Sequence, residues 1–459
     1  MKTVIFSQLD RIMGMILCFL RHFSTFTSMT SEIFTLLTAF ALFFGLIAKI
    51  WLNLRQQRFV MACRGAVPEA FAGQIDLLAH QKAADYLCAK SKLSRLDLVL
   101  GAIMFLVLTW GGLLAWLNQF WDTQFSSDLW SGVTMIASVA LLSMLLDLPL
   151  DAYRNFSLEA NFGFNRMTPK LFCLDLLKNT LLAILLGLPL LTLILWLMTE
   201  AGNLWWFYAW LAWAGFNLLM MVVYPLWIAP WFNRFTPLAS GEARERIEQL
   251  LKRGNFSARD IFIMDGSRRS SHGNAYFTGF GKSRRIVFFD TLLESLTPLQ
   301  TEAVLAHELG HFHHRHIIKR MILIFVVSLA FFALLGYLMY APWFFAALGV
   351  GAENTGDAAL ALLLFTLVAP LFAFFFTPLF SHLSRRDEFQ ADAYAVRMSS
   401  ASALAEALVK LYKDNASTLT PDPLYSRFYD SHPPASVRVA RLLSAEPIKA
   451  SSPSEADAL

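Results

Sequence analysis

Charge is scarce in this chain. Only 16% of its 459 residues are Asp, Glu, Lys or Arg, well below the roughly 25% of soluble domains. Set beside 56% hydrophobic residues, that shortfall excludes an ordinary soluble globule and a disordered chain alike. Cysteine is scarce too. Cys18, Cys63, Cys88 and Cys173 are scattered without a CxxC pair, which excludes a disulfide framework and a cysteine-rich zinc module. No large excess of one charge sign exists either. The net charge of +4 follows from loop composition and implies no nucleic-acid partner.

What is abundant is long apolar runs. Seven recur, near 33–52, 98–117, 129–150, 179–198, 204–232, 321–340 and 358–380, each close to the ~20 residues a bilayer demands of a helix. The connections 118–128, 199–203 and 341–357 contain no Lys or Arg, whereas 53–97, 151–178, 233–320 and 381–459 hold nearly all of them. Basic loops stay in the cytoplasm, so this alternation orients seven spans and places the last two segments on one, cytoplasmic, side.

Those two segments carry the chemistry. His307-Glu308-Leu309-Gly310-His311 reads as HExxH. On a helix, positions i and i+4 share a face, so two imidazoles can meet one metal with Glu308 beside them as a base for water. Thr297, Pro298 and Gln300 supply a helix start with a capping box. A hydrolytic zinc site wants three protein ligands and an open position. Glu388 and Asp392, again four apart, supply carboxylates: one can ligate while the other holds a ligand histidine by its second ring nitrogen. The longer motif HExxHxxGxxH fails, because His314 and Ile317 stand at its last two positions. His313, His314 and His316 read as a solvated cluster flanking the site.

The remaining segments divide as follows. Residues 1–28 are an awkward extension, apolar but interrupted by Asp10 and Arg11, and Met29 is a candidate start. Residues 29–232 hold five spans with polar loops, and 53–97 reads as a helical hairpin or as extensions of its flanking spans. Asp147, Asp151, Arg154 and Glu159 lie near a membrane boundary, where charge must be paired or wet. Residues 233–320 form a metalloprotease segment with a helix over 241–253, short strands at 260–265 and 285–290, and a glycine-rich turn and strand at 272–281. The strands offer an edge on which an extended peptide can pair. Residues 321–380 hold two spans. Residues 381–445 complete the protease part, with helices near 401–412 and 436–443 and a loop over 413–434. Residues 446–459, small, acidic and Pro/Ser-rich, are a disordered tail.

In order along the chain, LeuGluAlaAsnPheGlyPheAsn at 158–165, SerHisGlyAsnAlaTyrPheThrGly at 271–279, AlaHisGluLeuGlyHis at 306–311, SerArgArgAspGluPheGlnAlaAspAlaTyrAla at 384–395 and SerHisProPro at 431–434 resemble the M48 metallopeptidases, in their CAAX prenyl protease 1 (Ste24-type) branch. The resemblance implies an all-α integral membrane protein. Seven transmembrane helices would surround a chamber, with a zinc-metalloprotease domain, mostly helical with a small β-sheet, on the cytoplasmic side. It implies one Zn2+ per chain held by His307, His311 and Glu388, Glu308 as catalytic base, and Asp392 as partner of a ligand histidine. His432 and Arg438 match positions that stabilise the transition state or hold substrate, and Asn274 and Ala275 match a strand that pairs with peptide backbone. The family removes C-terminal tripeptides from prenylated CaaX proteins, with broader proteolysis in some members. Expected partners are therefore a peptide or protein, prenylated or not, and the lipid bilayer. The expected location is the inner membrane of a bacterium or the endoplasmic reticulum of a eukaryote.

Two rivals are weaker. An intramembrane protease of the site-2 type needs HExxH within a span and a late LeuAspGly; the first is followed here by His313, His314, Arg315 and His316, and the second is absent. A transporter with a structural metal would close the site with four ligands. Quality-control proteolysis of membrane proteins, without a prenyl requirement, is the alternative within the family.

Overall fold

The computed structural model describes residues 29–256, 260–278 and 285–444. The expected extension 1–28 and tail 446–459, with Cys18 and Gly279–Gly281, lie outside the described residues.

Helix α1 (Ser31–Ala62) starts where Thr30 accepts the amide of Ile33, and α2 (Leu77–Leu108) where Asp76 accepts that of Ala79. Each has 32 residues, or about 48 Å at 1.5 Å per residue, against a hydrocarbon core of about 30 Å. Their polar ends therefore project beyond the bilayer, and 53–97 is the extension of two spans. A stripe of exposed Leu36, Phe40, Phe43 and Ile47 gives α1 a lipid-facing side.

Helix α2 bends by 54° into α3 (Leu113–Gln124). The second expected span is thus a broken pair, turning at Gly112, whose φ of 77° suits glycine. Then come α4 (Asp128–Tyr153), which runs through a π-helical turn to Glu159, and α5 (Pro169–Leu182), which continues as α6 (Leu188–Glu200). Helix α7 (Trp205–Val223) ends in the short α8 (Ala229–Phe232).

The chain next builds a four-stranded sheet from β1 (Phe235–Pro237), β2 (Asp260–Met264), β3 (Ala275–Thr278) and β4 (Arg285–Phe289), in the order β1-β2-β4-β3. β2 and β4 are parallel, and β1 and β3 pair antiparallel on either side. β1 is too short, and too close to proline, to show a strand period in the sequence. Helix α9 (Glu242–Arg253) lies between β1 and β2, and α10 (Asp290–Ser295) follows β4. In α11 (Pro298–His313) the capping box of Thr297 and Gln300 forms as the residues predict. The chain reverses at Arg315, with φ of 57°, into the membrane helix α12 (His316–Leu338).

After α13 (Pro342–Ala347), α14 (Ala358–Ala373) leads almost without a break into α15 (Thr377–Met398). Together they span 41 residues, roughly 60 Å and twice the hydrocarbon thickness, so the second half stands outside the bilayer with Glu388 and Asp392 on it. Helices α16 (Ala401–Asp414), α17 (Pro423–Tyr429) and α18 (Ala435–Ser444) complete the fold. The expected loop 413–434 contains α17. Its signal was Asp422-Pro423, a cap whose Oδ1 accepts from Leu424 and Tyr425 amides, followed by proline at the first position.

Among the described residues, six spans are long and apolar enough to cross a membrane, and seven if the bent pair counts as one. One apolar core lies between membrane helices, around Phe344, Phe345, Leu360 and Leu364. A second lies beneath the sheet, joining Ile247, Phe288, Ala306, Leu309 and Leu408. A cavity of about 510 Å³ opens between α1, α2, α4 and α14, with Lys49, Asp97 and Asp147 among its walls. The boundary charges are mostly paired: Arg154 binds Asp151 at 2.6 Å and Asp97 at 3.3 Å, and Glu159 accepts from Tyr86 at 2.6 Å.

Candidate metal centre

Helices α11 and α15 meet at Gly310. A Cβ there would stand 2.8 Å from the Cα of Ala391 and 2.9 Å from its carbonyl oxygen. Only glycine lets the two backbones touch at this point, and that contact carries Glu388 to the histidine pair. His307 Nε2 and His311 Nε2 are 3.3 Å apart; Glu388 Oε2 is 3.4 Å from the first and Glu388 Oε1 is 3.3 Å from the second. Atoms bound 2.0–2.2 Å from one centre at tetrahedral angles stand about 3.3–3.6 Å apart, so these separations fit a single zinc-sized ion. The three side chains form a metal-capable group. Glu388 is buried, and its Oε2 has no hydrogen-bond partner. Arg438 Nη1 stands 3.5 Å from that oxygen without hydrogen-bonding it, and a buried carboxylate oxygen left without a bonded donor or a bound cation is costly.

Each imidazole is held from behind. His307 Nδ1 lies 2.8 Å from Asp392 Oδ1, and Asp392 is gripped by Arg438, Nε to Oδ2 at 2.9 Å and Nη2 to Oδ1 at 2.6 Å. Burial works against a charged His307, but its contacts with Asp392 and Glu388 outweigh burial and push it up to about 9. His311 Nδ1 lies 3.0 Å from His316 Nδ1, and His316 Nε2 lies 3.0 Å from Gln390 Oε1. His316 is only 2% exposed, so it does not belong to a solvated flank. The turn at Arg315 buries it, which no local pattern could show. His313 is exposed and lies against Tyr394, and His314 is half-buried beside it, as a flank would be.

Glu308 faces a cavity of about 600 Å³ together with His311, Glu388, His432, Trp213, Met221, Phe325 and Tyr276. Burial pushes its carboxyl up. His432 Nε2 is 3.4 Å from Glu388 Oε1, and its side chain remains 60% exposed toward that cavity. Ser431 Oγ sits 3.0 Å from His432 Nδ1, so a hydroxyl donated there leaves Nε2 as the N–H. Arg438 is placed differently. It is 5% exposed, reaches Asp392 and lies 3.5 Å from Glu388, all from beneath the ligand set.

Among the described residues, β3 is an edge strand, paired with β4 alone. Phe277 on β3 packs against Phe312 at 4.8 Å between centroids, and this contact keys the edge to the residue after His311. Ala275 opens the strand. Asn274, just before it, gives its carbonyl to the Phe289 amide and its side-chain oxygen to the Ala275 amide. Arg385 was not singled out in the sequence. Its guanidinium donates to the carbonyl oxygens of Ser426, Arg427 and Asp430. It therefore closes the C-terminal end of α17 and sets the path into His432.

Membrane helices that carry an HExxH site of this geometry define a class, the integral-membrane metalloendopeptidases. Comparison with known proteins narrows the class. Residues 56–234 match the family described as CAAX prenyl protease N-terminal, five membrane helices, and residues 237–446 match peptidase family M48. The CAAX prenyl protease 1 homolog of Arabidopsis thaliana is 34% identical over 84% of this chain and 92% of its own length. The CAAX prenyl protease 1 of Saccharomyces cerevisiae is 34% identical over 82% of this chain and 88% of its own. The crystal structure of S. mikatae Ste24p superimposes with a TM-score of 0.82 at 31% identity, covering 89% of this chain and 98% of that one. The chain belongs to the M48 peptidases, in their CAAX prenyl protease 1 branch.

Proposed function

We propose that this protein is a zinc endopeptidase, one ion per chain, that cuts near the C-termini of CaaX-type proteins. The observation that carries the reading is the set of 3.3–3.4 Å separations among His307, His311 and Glu388, three side chains that would hold a single zinc-sized ion. Bound there, zinc supplies the Lewis acidity that polarises a peptide carbonyl and acidifies a water molecule.

The chain's own residues do the rest. Glu308, in the same cavity, takes the proton of the attacking water and returns it to the leaving amine. His432 donates Nε2–H to the oxygen that gains charge, an interaction whose removal elsewhere costs roughly 3–4 kcal/mol. Asp392 orients His307 and raises its basicity. Arg438 holds Asp392 and the charge of Glu388, so it acts from behind the ligands. The edge at Asn274 and Ala275 pairs with an extended substrate backbone, with its register set by the Phe277–Phe312 contact. Trp213, Met221, Met321 and Phe325 give the cavity an apolar wall contributed by membrane helices. That wall suits aliphatic residues or a lipid chain better than a charged peptide. The charge asymmetry of the loops supports a cytoplasm-facing site, in a bacterial inner membrane or in the endoplasmic reticulum.

Mass spectrometry of products from a prenylated and an unprenylated CaaX peptide tests the substrate class. Release of the C-terminal tripeptide, faster with the prenyl group, is the expected outcome. Equal cleavage of both would favour quality-control proteolysis, and cleavage of neither would sink the CaaX assignment.

A further inference from the structure

The two histidines of HExxH are held in different ways. Behind His307 stands a carboxylate, Asp392, itself fixed by Arg438. Behind His311 stands a neutral group, the imidazole of His316, and behind that the amide of Gln390. The proton positions along the second path follow from the first. If Nε2 of His311 gives its lone pair to an ion, Nδ1 must carry the proton. That N–H donates to Nδ1 of His316 at 3.0 Å, which must then be a bare acceptor. The remaining His316 proton lies on Nε2 and donates to Gln390 Oε1 at 3.0 Å. Every nitrogen in the path has a partner of the opposite kind, and only one arrangement satisfies them all.

The path ties together three elements. His311 lies in the last turn of α11, His316 opens α12, and Gln390 lies on α15 two residues past Glu388. Asp387 Oδ1, 3.6 Å from His316 Nε2, gives a second acceptor at the far end. Arg320, 3.7 Å from Asp387 and exposed, offsets its charge. The tight turn at Arg315 sets the His316 ring against His311, with centroids 5.2 Å apart.

We infer that His316, backed by Gln390, is a positioning residue that fixes the ring orientation and tautomer of His311 for metal binding. The inference rests on the proposed metal site. It assigns metal retention to a histidine that never touches the ion, and to a residue at the mouth of a membrane helix.

The test uses the full-length protein in detergent, loaded with zinc or with cobalt(II). Release to a coloured chelator and the visible cobalt spectrum are the readouts. His316→Leu removes the acceptor and is expected to speed release about 10- to 100-fold, the usual cost of losing such a partner. It should also shift the cobalt bands, because the His311 ring is free to turn. His316→Asn keeps an oxygen where Nδ1 was, so it should restore release to within about threefold of wild type and restore the spectrum. Gln390→Leu should move both readouts in the same direction by less, and it remains informative if His316→Leu does not fold. Unchanged release and spectrum in His316→Leu, or in Gln390→Leu where that is the variant measured, would overturn the inference. So would His316→Asn behaving like His316→Leu. Wild-type protein that takes up no ion, or His307→Ala that binds as well as wild type, would instead overturn the metal site itself.

Discussion

At the scale of single residues, the proposed mechanism separates holding an ion from using it. His307, His311 and Glu388 converge within 3.4 Å of one another, while Glu308 stands beside them in the cavity. Glu308→Gln preserves shape and removes only the proton acceptor. It should keep stoichiometric metal, measured by elemental analysis, and lower kcat about 10²- to 10⁴-fold, the range of a lost general base. Retained turnover in that variant would end the mechanism. Much of this was legible beforehand, since HExxH fixes a helix face whatever surrounds it. His316 was not. Its spacing from His311 places it on no common helical face, and only the positive φ at Arg315 folds it back.

At the scale of elements, the metal group depends on how α11 and α15 touch. Gly310 is the contact, with a Cβ excluded at 2.8 Å from Ala391. Gly310→Ala must part the helices by the better part of an ångström to relieve a Cβ that would stand 2.8 Å from the Ala391 Cα, which displaces Glu388 from the histidines. Misplacement on the order of 1 Å costs about a hundredfold in rate, so we expect activity to fall to that extent and metal release to quicken. Stopped-flow release would show it; wild-type behaviour would mean that the helices slide freely. The sequence displayed HELGH and EFQAD, but not that the glycine of one lies on the alanine of the other.

Helix α17 offers a second test at this scale. Asp422 is 1% exposed, caps α17 and meets Arg55 of α1 at 2.9 Å. Burial alone would raise its carboxyl, but the bond to Arg55 and the capped amides outweigh that and hold it below its ordinary value. Its contribution is therefore complete above the unfolded value near 3.9 and is lost as pH falls through the lower folded one. Asp422→Asn should lower the thermal midpoint near neutrality, and the gap from wild type should close as pH falls below the ordinary carboxylate range and through the lowered folded value. A gap independent of pH would show that the ion pair contributes nothing.

At the scale of the whole molecule, the protease part and the membrane bundle are one object. Cavity walls come from α7 and α12 as well as from the sheet and α11, and α14 runs into α15, which bears Glu388. Metal binding should therefore stabilise the entire chain. Removal by a chelator should abolish cleavage, and zinc at about 100 times its dissociation constant should restore about 2.7 kcal/mol of stability. Glu308→Gln should keep this thermal shift and His307→Ala should lose it, as scanning calorimetry in detergent would reveal.

The sequence by itself determined the spans, the HExxH helix with its cap, and the acidic pair four residues apart. These rest on local periodicity and composition, which the chain carries in any surroundings. It also carried the order of motifs that marks the family. Spacing left either carboxylate free to ligate, and the family motifs pointed to Glu388; tertiary structure alone decided that β1 joins the sheet, that the second span is bent, and that Arg385 sets the approach to His432. It also decided that Arg438 lies beneath the ligands rather than in the cavity. Each of these depends on contacts between residues far apart in the chain, where backbone approach and burial, not spacing, choose the partner.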